Sequence, residues 1–152
     1  VRGRPAAVDL CRERVLQTLL VETARDGLLR SAHDCADGGF AVTLAECCVE
    51  SAGGGARVEL PATAEPDDGF GLVRALFGEA PSRVVVSVSD AERDGLLERA
   101  NAVSVPAAVI GKTGGDRLTV TVGGAVVADI GLDEAENSWT NGLTQHFEQV
   151  VG

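Results

Sequence analysis

A pair of glycines beside an acidic residue is the feature of this sequence most suited to chemistry. Residues 31–46 read SAHDCADGGFAVTLAE, and Asp37-Gly38-Gly39 is predicted to lie between a short strand and an apolar helix. Glycine tolerates positive φ and lets another group approach the backbone closely. The free N–H groups at a helix start also favour an anion. The pattern indicates either a turn that binds phosphate or carboxylate, or tight packing of the strand onto the helix.

Polar side chains just before this turn suggest two further kinds of site. Ser31 and His33 are expected on one face of the strand and Asp34 on the other, which opposes a catalytic triad. A metal site built from His33, Asp34 and Asp37 would contain a single imidazole. A structural polar cluster is the simpler interpretation of these residues.

Two other segments carry groups that bind phosphate in many proteins. Ser82 and Arg83 open the most apolar strand, and an arginine at a strand end can hold phosphate through two parallel hydrogen bonds. An exposed arginine is the alternative. Residues 112–116, KTGGD, match neither the P-loop nor the dinucleotide fingerprint, so we expect a plain turn there. His146 is expected to be exposed on the last helix.

Composition restricts the class of protein. The chain has 152 residues, 45% of them hydrophobic and 3% aromatic, which suits one domain with a core of Val, Leu, Ile and Ala. A net charge of −10 opposes binding to nucleic acid or to an anionic membrane. No apolar run reaches the ~20 residues that span a bilayer, and the first ten residues lack the apolar core of a secretory signal. A cytoplasmic protein is expected.

The four cysteines, Cys11, Cys35, Cys47 and Cys48, do not form a C-x-x-C pair. Buried thiols are therefore expected rather than a zinc site or a disulfide framework. The sequence contains no methionine. A piece of a longer protein or a processed chain is the interpretation we favour.

The elements that must position these residues follow the order α β α β α β α β β β α. Asp9 is predicted to begin the first helix, with Cys11, Val15 and Leu19 on its buried stripe, and Gly27 to end it. Asp37 is predicted to cap the second helix. Further helices and strands are predicted from apolar periodicity and turn residues over 28–34, 40–51, 57–60, 70–77, 83–89, 103–111, 118–122, 125–130 and 133–150.

Three of these predictions concern single motifs. Ser89 and Glu92 are predicted to form a capping box that begins a helix ending at residue 102. Gly123-Gly124 indicates a β-hairpin, so the sheet cannot be wholly parallel. The last helix is predicted to place one apolar face along Ala135, Trp139, Leu143, Phe147 and Val150. Residues 61–69 are predicted to be a loop.

Several stretches together resemble one protein family. Four stretches resemble segments of the C-terminal domain of phosphoribosylformylglycinamidine synthase and occur in the same order. They are the first predicted helix, residues 31–46, LFGEAPSRVVVSV (76–88) and VPAAVIGKTGGDRLTV (105–120). This synthase is the large synthetase subunit of purine biosynthesis. Phe40 stands where leucine is usual in that family.

The resemblance implies an α+β fold, a three-layer α/β/α sandwich with a mixed sheet and partial ferredoxin-like topology. The Arg, Gly and Pro content of residues 1–7 predicts a linker there. The resemblance implies a single AIR-synthase-related C-terminal domain over residues 8–152, the second of two B-type domains. The parent enzyme uses ATP, Mg²⁺ and glutamine-derived ammonia to convert formylglycinamide ribonucleotide to the amidine. Its catalytic and metal-binding residues lie in the A-type domains, so none is expected here.

The resemblance also implies a set of residues that line the cleft facing the A-type domains and could contact substrate or nucleotide: His33, Asp34, Asp37, Gly38, Gly39, Ser82 and Arg83. The implied partners are the A-type and first B-type domains, the glutaminase subunit and a small bridging subunit, with a homodimer left open. The alternative is a stand-alone nucleotide- or phosphate-binding or assembly module of the same superfamily.

Overall fold

The computed structural model describes residues 7–50, 54–62 and 70–151, apart from the side chains of Glu50 and of several residues in the last helix. The order of its elements is the predicted one. The helices are α1 (Leu10–Arg25), α2 (Gly39–Glu50), α3 (Gly71–Phe77), α4 (Arg93–Ala102) and α5 (Leu132–Val151). The strands are β1 (Leu29–Asp34), β2 (Ala56–Leu60), β3 (Val84–Val88), β4 (Gly111–Thr113), β5 (Arg117–Val122) and β6 (Ala125–Gly131).

The chain divides into two compact units. The first comprises Val1–Thr43 and Pro66–Val109, and the second comprises Leu44–Glu65 and Ile110–Gly152. The single domain over residues 8–152 stays a prediction. The predicted linker lies, except for Ala7, outside the described residues, as do residues 63–69 of the predicted loop.

In the first unit, β1 and β3 form an antiparallel pair in which Asp34 lies opposite Val84. Helix α1 begins as predicted, because the Asp9 carboxylate accepts the N–H groups of Cys11 and Arg12 at 3.0 and 3.1 Å. It ends before Gly27, whose φ of +74° is the left-handed conformation that terminates many helices. These local signals fix the position of α1 along the chain.

The second unit contains a mixed four-stranded sheet with the strand order β4-β2-β5-β6. Strands β2 and β5 are parallel, whereas the other two pairings are antiparallel. Val58, Leu118 and Val120 are buried at the centre of this sheet. Gly123 and Gly124 both have positive φ, as a two-residue hairpin turn requires. The α+β class, the mixed sheet and the hairpin are therefore confirmed.

The fourth strand lies later in the chain than predicted. Residues 105–110 form no regular element, and β4 comprises Gly111–Thr113, paired with β2. A side chain at position 111 would meet the Arg57 carbonyl oxygen at 2.0 Å, so glycine permits this close pairing. Pro106 lacks the N–H group that a paired strand would use.

The start of α4 also differs from the prediction. The helix begins at Arg93, and the side chain of Glu92, which precedes it, makes no capping hydrogen bond. The Glu92 N–H reaches the Ser89 hydroxyl at 3.4 Å, too long for a strong bond, and lies 3.2 Å from the Ser89 carbonyl oxygen. A backbone turn therefore replaces the reciprocal capping box.

Two predicted apolar faces are only partly buried. On α1, Leu19 is buried but Cys11 and Val15 are exposed, while Thr23 is buried and donates its hydroxyl to the Leu19 carbonyl oxygen at 2.7 Å. On α5, Trp139 and Phe147 are 64% and 63% exposed. The side chains of Leu143, His146 and Val150 lie outside the described residues.

The prediction of buried thiols holds for Cys35 and Cys48. Cys47 is half-buried, and Cys11 is exposed on α1. Within the described part of the chain, no helix has the length and apolarity needed to cross a bilayer.

Candidate functional site

The turn between β1 and α2 contains two consecutive glycines in the left-handed region. Gly38 has a φ of +94° and Gly39 a φ of +74°, so both adopt the left-handed conformation that glycine tolerates. Because α2 begins at Gly39, the residue directly before the helix is Gly38. The prediction that Asp37 occupies the capping position was therefore wrong by one residue.

The same glycines allow close packing. A Cβ atom at Gly39 would lie 2.7 Å from the carbonyl carbon of Phe77 and 2.9 Å from its Cα atom. A Cβ atom at Gly38 would lie 2.7 Å from Cγ2 of Val42. The turn is thus packed against the backbone at the end of α3, and glycine at position 39 makes that approach sterically feasible.

The N–H group of Gly38 already has an anionic partner. It donates a hydrogen bond of 3.0 Å to Oε1 of Glu79, which follows the α3 cap residue Gly78. The anion at this helix start is therefore a carboxylate of the chain itself. Glu79 is not among the predicted site residues, because nothing in the sequence sets it apart from other exposed acidic residues.

Thr43 ties the end of β1 to α2. Its side chain is buried, and its hydroxyl lies 2.9 Å from the Asp34 carbonyl oxygen and 3.1 Å from the Gly39 carbonyl oxygen. A buried hydroxyl is stable when it finds such partners. This side chain therefore holds the first turn of α2 in place next to the end of the strand.

A cavity of about 450 Å³ lies in the first unit, beside the end of β1 and the segment that leads into β3. Its polar lining includes Asp34, Ser82 and Arg83, three of the residues in the implied site, together with Glu13 and Glu79. Among the residues that the structure describes, the remaining members of that set do not line it: His33, Asp37, Gly38 and Gly39.

The charges around the cavity do not favour phosphate. Three carboxylates, those of Glu13, Asp34 and Glu79, face one guanidinium, that of Arg83. Ser82 has a φ of +59°, unusual for a residue with a side chain, and its hydroxyl donates to the Glu13 carboxylate. That hydrogen bond, with a smaller effect from Gln17, lowers the pKa of Glu13, so its carboxylate remains charged.

Arg83 is engaged in contacts with its own chain. Its guanidinium lies 4.6 Å above the centre of the Phe40 ring, within the range of a cation–π interaction. It also approaches the Ala75 carbonyl oxygen at 3.4 Å, while the Arg83 carbonyl accepts the Cys35 N–H at 2.9 Å. Arg83 thus links the start of β3 to α2 and α3. Phe40, the departure from the family pattern, is buried beneath it.

Cys35 and His33 flank Asp34 at the end of β1. Burial raises the pKa of the Cys35 thiol, which keeps it protonated near neutral pH. Nδ1 of His33 lies 2.8 Å from the Asp34 carbonyl oxygen. Ser31 pairs with Ser87 across the strands at 2.6 Å. No group of three or more His, Cys, Asp or Glu side chains suited to a metal ion occurs in the described ranges.

Comparison with known proteins identifies the fold family. Residues 2–123 match the family model described as AIR synthase related protein, C-terminal domain. This match covers well over half of the chain, so the chain belongs to that family. The chain is also 40% identical over 144 residues to the phosphoribosylformylglycinamidine synthase subunit PurL of Moorella thermoacetica. That alignment covers 94% of the chain but 19% of the relative.

Solved structures agree on the fold. PurL of Thermotoga maritima complexed with FGAR has a TM-score of 0.71 at 22% identity, over 86% of this chain and 22% of that one. The same protein complexed with ATP has a TM-score of 0.67 at 21% identity, over 80% and 21%. The chain therefore spans about one fifth of the length of these relatives. The resemblance to this synthase is confirmed.

Proposed function

We propose that this chain is one domain of a phosphoribosylformylglycinamidine synthase, namely the second of its two B-type domains. The observation that carries the proposal is the 40% identity to a PurL subunit along 94% of the chain. The similarity extends over nearly all of the chain but over one fifth of the relative, as a domain of a longer enzyme would give.

In that enzyme, the reaction converts formylglycinamide ribonucleotide to the amidine with ATP and glutamine-derived ammonia, in the presence of Mg²⁺. The PurL structures named above contain FGAR in one case and ATP in the other, which supports a nucleotide-dependent parent. We propose that the chain's partners are the A-type domains, the glutaminase subunit and the bridging subunit. We propose the cytoplasm as its location. The isolated domain is expected to be inactive.

The contacts around the Gly-Gly turn favour a structural role for this domain within the enzyme. The Glu79 carboxylate already accepts the hydrogen bond of the Gly38 N–H. In the adjacent cavity, three carboxylates face the single guanidinium of Arg83. A triphosphate would meet net negative charge there, so these residues do not fit the phosphates of ATP. We propose that His33, Asp34, Asp37, Ser82 and Arg83 face the rest of the enzyme and support it. Gly38 and Gly39 hold the turn that positions them.

The test is a full-length chimera in which this chain replaces the corresponding region of the M. thermoacetica subunit. We expect the chimera to restore growth of a purine auxotroph that lacks the synthetase. The isolated chain should release no ADP from ATP with the ribonucleotide, glutamine and Mg²⁺. An inactive chimera that is folded and expressed, or turnover by the isolated chain, would overturn the proposal.

The stand-alone binding module makes the opposite prediction in a calorimetric titration. Saturable binding of ATP, ADP or the ribonucleotide by the isolated chain would favour the module. We expect no such binding by the wild-type chain.

A further inference from the structure

Helix α5 carries large apolar side chains that are exposed to solvent in the described part of the chain. Trp139 and Phe147, eight positions apart on a helix, lie on the same side, and both are nearly two-thirds exposed. Ala135 shares that side at lower exposure. We refer to Ala135, Trp139 and Phe147 as the α5 apolar face.

A tryptophan on this face is a strong anchor for a partner. An aromatic side chain of this kind can bury roughly 150–250 Å² of surface in a contact. Tryptophan is also enriched among the few residues that supply most of the binding energy in protein interfaces. Helix α5 directly follows β6, and residues 136–142 of the helix are all exposed.

The charge of α5 determines which partner fits. Asp133, Glu134 and Glu136 are exposed near its start, and the whole helix contains no Lys or Arg. The chain as a whole carries a net charge of −10. A second copy would bring the same negative charges together and be repelled. A complementary partner has an apolar centre with Lys and Arg at its rim.

The comparisons indicate where this partner lies. The family match ends at residue 123, before α5 begins. The PurL alignment covers 94% of the chain, so more than half of α5 is aligned even if every unaligned residue is C-terminal. Helix α5 is thus shared with the longer enzyme but lies outside the match to the general domain family. We therefore look for the partner of α5 in the longer enzyme.

We propose that the α5 apolar face docks onto another domain of the same synthetase polypeptide, on an apolar surface rimmed by basic residues. This inference rests on the proposed function, because the partner surface lies in the four fifths of the relatives that this chain does not span. Trp139 is the central anchor, and the acidic residues at the start of α5 steer the contact.

Hydroxyl-radical footprinting with mass spectrometry measures this docking at one residue. Trp139 is the only tryptophan of the chain, so its oxidation can be followed individually. We expect oxidation of Trp139 to be at least about five-fold slower in the full-length chimera than in the isolated chain, because docking removes most of its exposure. The exposed Leu10 on α1 should be oxidised at similar rates in both.

Variants of the chimera then distinguish the contribution of Trp139 to docking from the contribution of the acidic residues. Trp139→Glu in the chimera should raise the proteolysis of α5 by about ten-fold or more, whereas the control Leu10→Glu should leave it unchanged. Glu134→Lys with Glu136→Lys should also loosen the contact, and the difference should shrink in high salt.

The outcomes distinguish the two proposals. Equal oxidation of Trp139 in the chimera and the isolated chain would overturn the docking inference, even if the chimera is active. Protection of Trp139 in a folded but inactive chimera would support docking and refute the proposed function. Protection that increases with the concentration of the isolated chain would show that a second copy covers the face, which also overturns the inference.

Discussion

Replacing Gly39 by alanine tests whether the Gly-Gly turn is held by packing. At a φ of +74° an alanine is strained by roughly 1–2 kcal/mol relative to glycine. Its Cβ atom would also lie 2.7 Å from the carbonyl carbon of Phe77, closer than van der Waals contact permits. Because backbone cannot move aside as a side-chain tip can, this overlap adds about 1–3 kcal/mol. The expected total is a destabilisation of about 2–5 kcal/mol.

Gly27 provides a control with the same backbone conformation. Its φ is also +74°, but a Cβ atom there would have nothing within 4 Å. Gly27→Ala should therefore cost the strain alone, about 1–2 kcal/mol. Gly95, in α4, has open space and ordinary φ, so Gly95→Ala should stabilise the chain by up to about 1 kcal/mol. The difference between Gly39→Ala and Gly27→Ala isolates the contact with Phe77.

The assay is urea denaturation followed through amide NMR signals of β1 and β3, which report on the first unit. If Gly39→Ala is unfolded in water, the comparison is made in an osmolyte that stabilises all variants alike. Equal free energies of unfolding for Gly39→Ala and Gly27→Ala would refute the close approach to Phe77. If Gly39→Ala lowers the free energy of unfolding less than Gly27→Ala does, the strain expected from the positive φ of Gly39 is refuted as well.

Other measurements test the remaining contacts. Cys11 should react with a thiol reagent in the native chain, whereas Cys35, buried and with a raised pKa, should react only on unfolding, as mass spectrometry of alkylated peptides would show. The 2.8 Å hydrogen bond from Arg117 lowers the pKa of Asp129 below its ordinary value of 3.8. The stabilisation of the folded chain by this pair is therefore present above pH 3.8, and it is lost as the pH falls through the lowered pKa of Asp129. An NMR titration of Arg117→Gln should return that pKa toward 3.8. Phe40→Leu should cost at least about 0.5–1 kcal/mol, since the cation–π contact is lost, and an unchanged unfolding midpoint would refute that contact.

Much of the fold follows from short-range signals. Apolar periodicity locates the helices, and residues such as Asp9 and Gly27 define the ends of α1 through contacts within a few positions of the chain. Gly123 and Gly124 specify the hairpin in the same way, because a two-residue turn needs two positive φ angles. These features could be predicted because the interactions that determine them are local.

Other features depend on partners that are distant in sequence. Strand β4 is defined by its pairing with β2, and no local pattern shows that Gly111 will meet Arg57 across the sheet. Ser89 and Glu92 are the residue types of a capping box at the required spacing, yet the chain forms a backbone turn there instead. On α1, the buried Thr23 looks polar in sequence but satisfies its hydroxyl within the helix.

The Gly-Gly turn shows why the candidate site was the hardest part to predict. The residue type indicates that Gly38 and Gly39 either adopt positive φ or allow a close approach to the backbone. A bound ligand and a neighbouring backbone would both require glycine for that approach, so the sequence cannot distinguish them. The choice is made by Phe77, whose backbone fills the space beside Gly39, and by Glu79, whose carboxylate accepts the Gly38 N–H. Glu79 lies 41 positions further along the chain, and its ordinary appearance in the sequence gives no hint of this contact. A glycine pair therefore indicates that something approaches the backbone, and only the tertiary contacts determine that in this chain it is the end of α3.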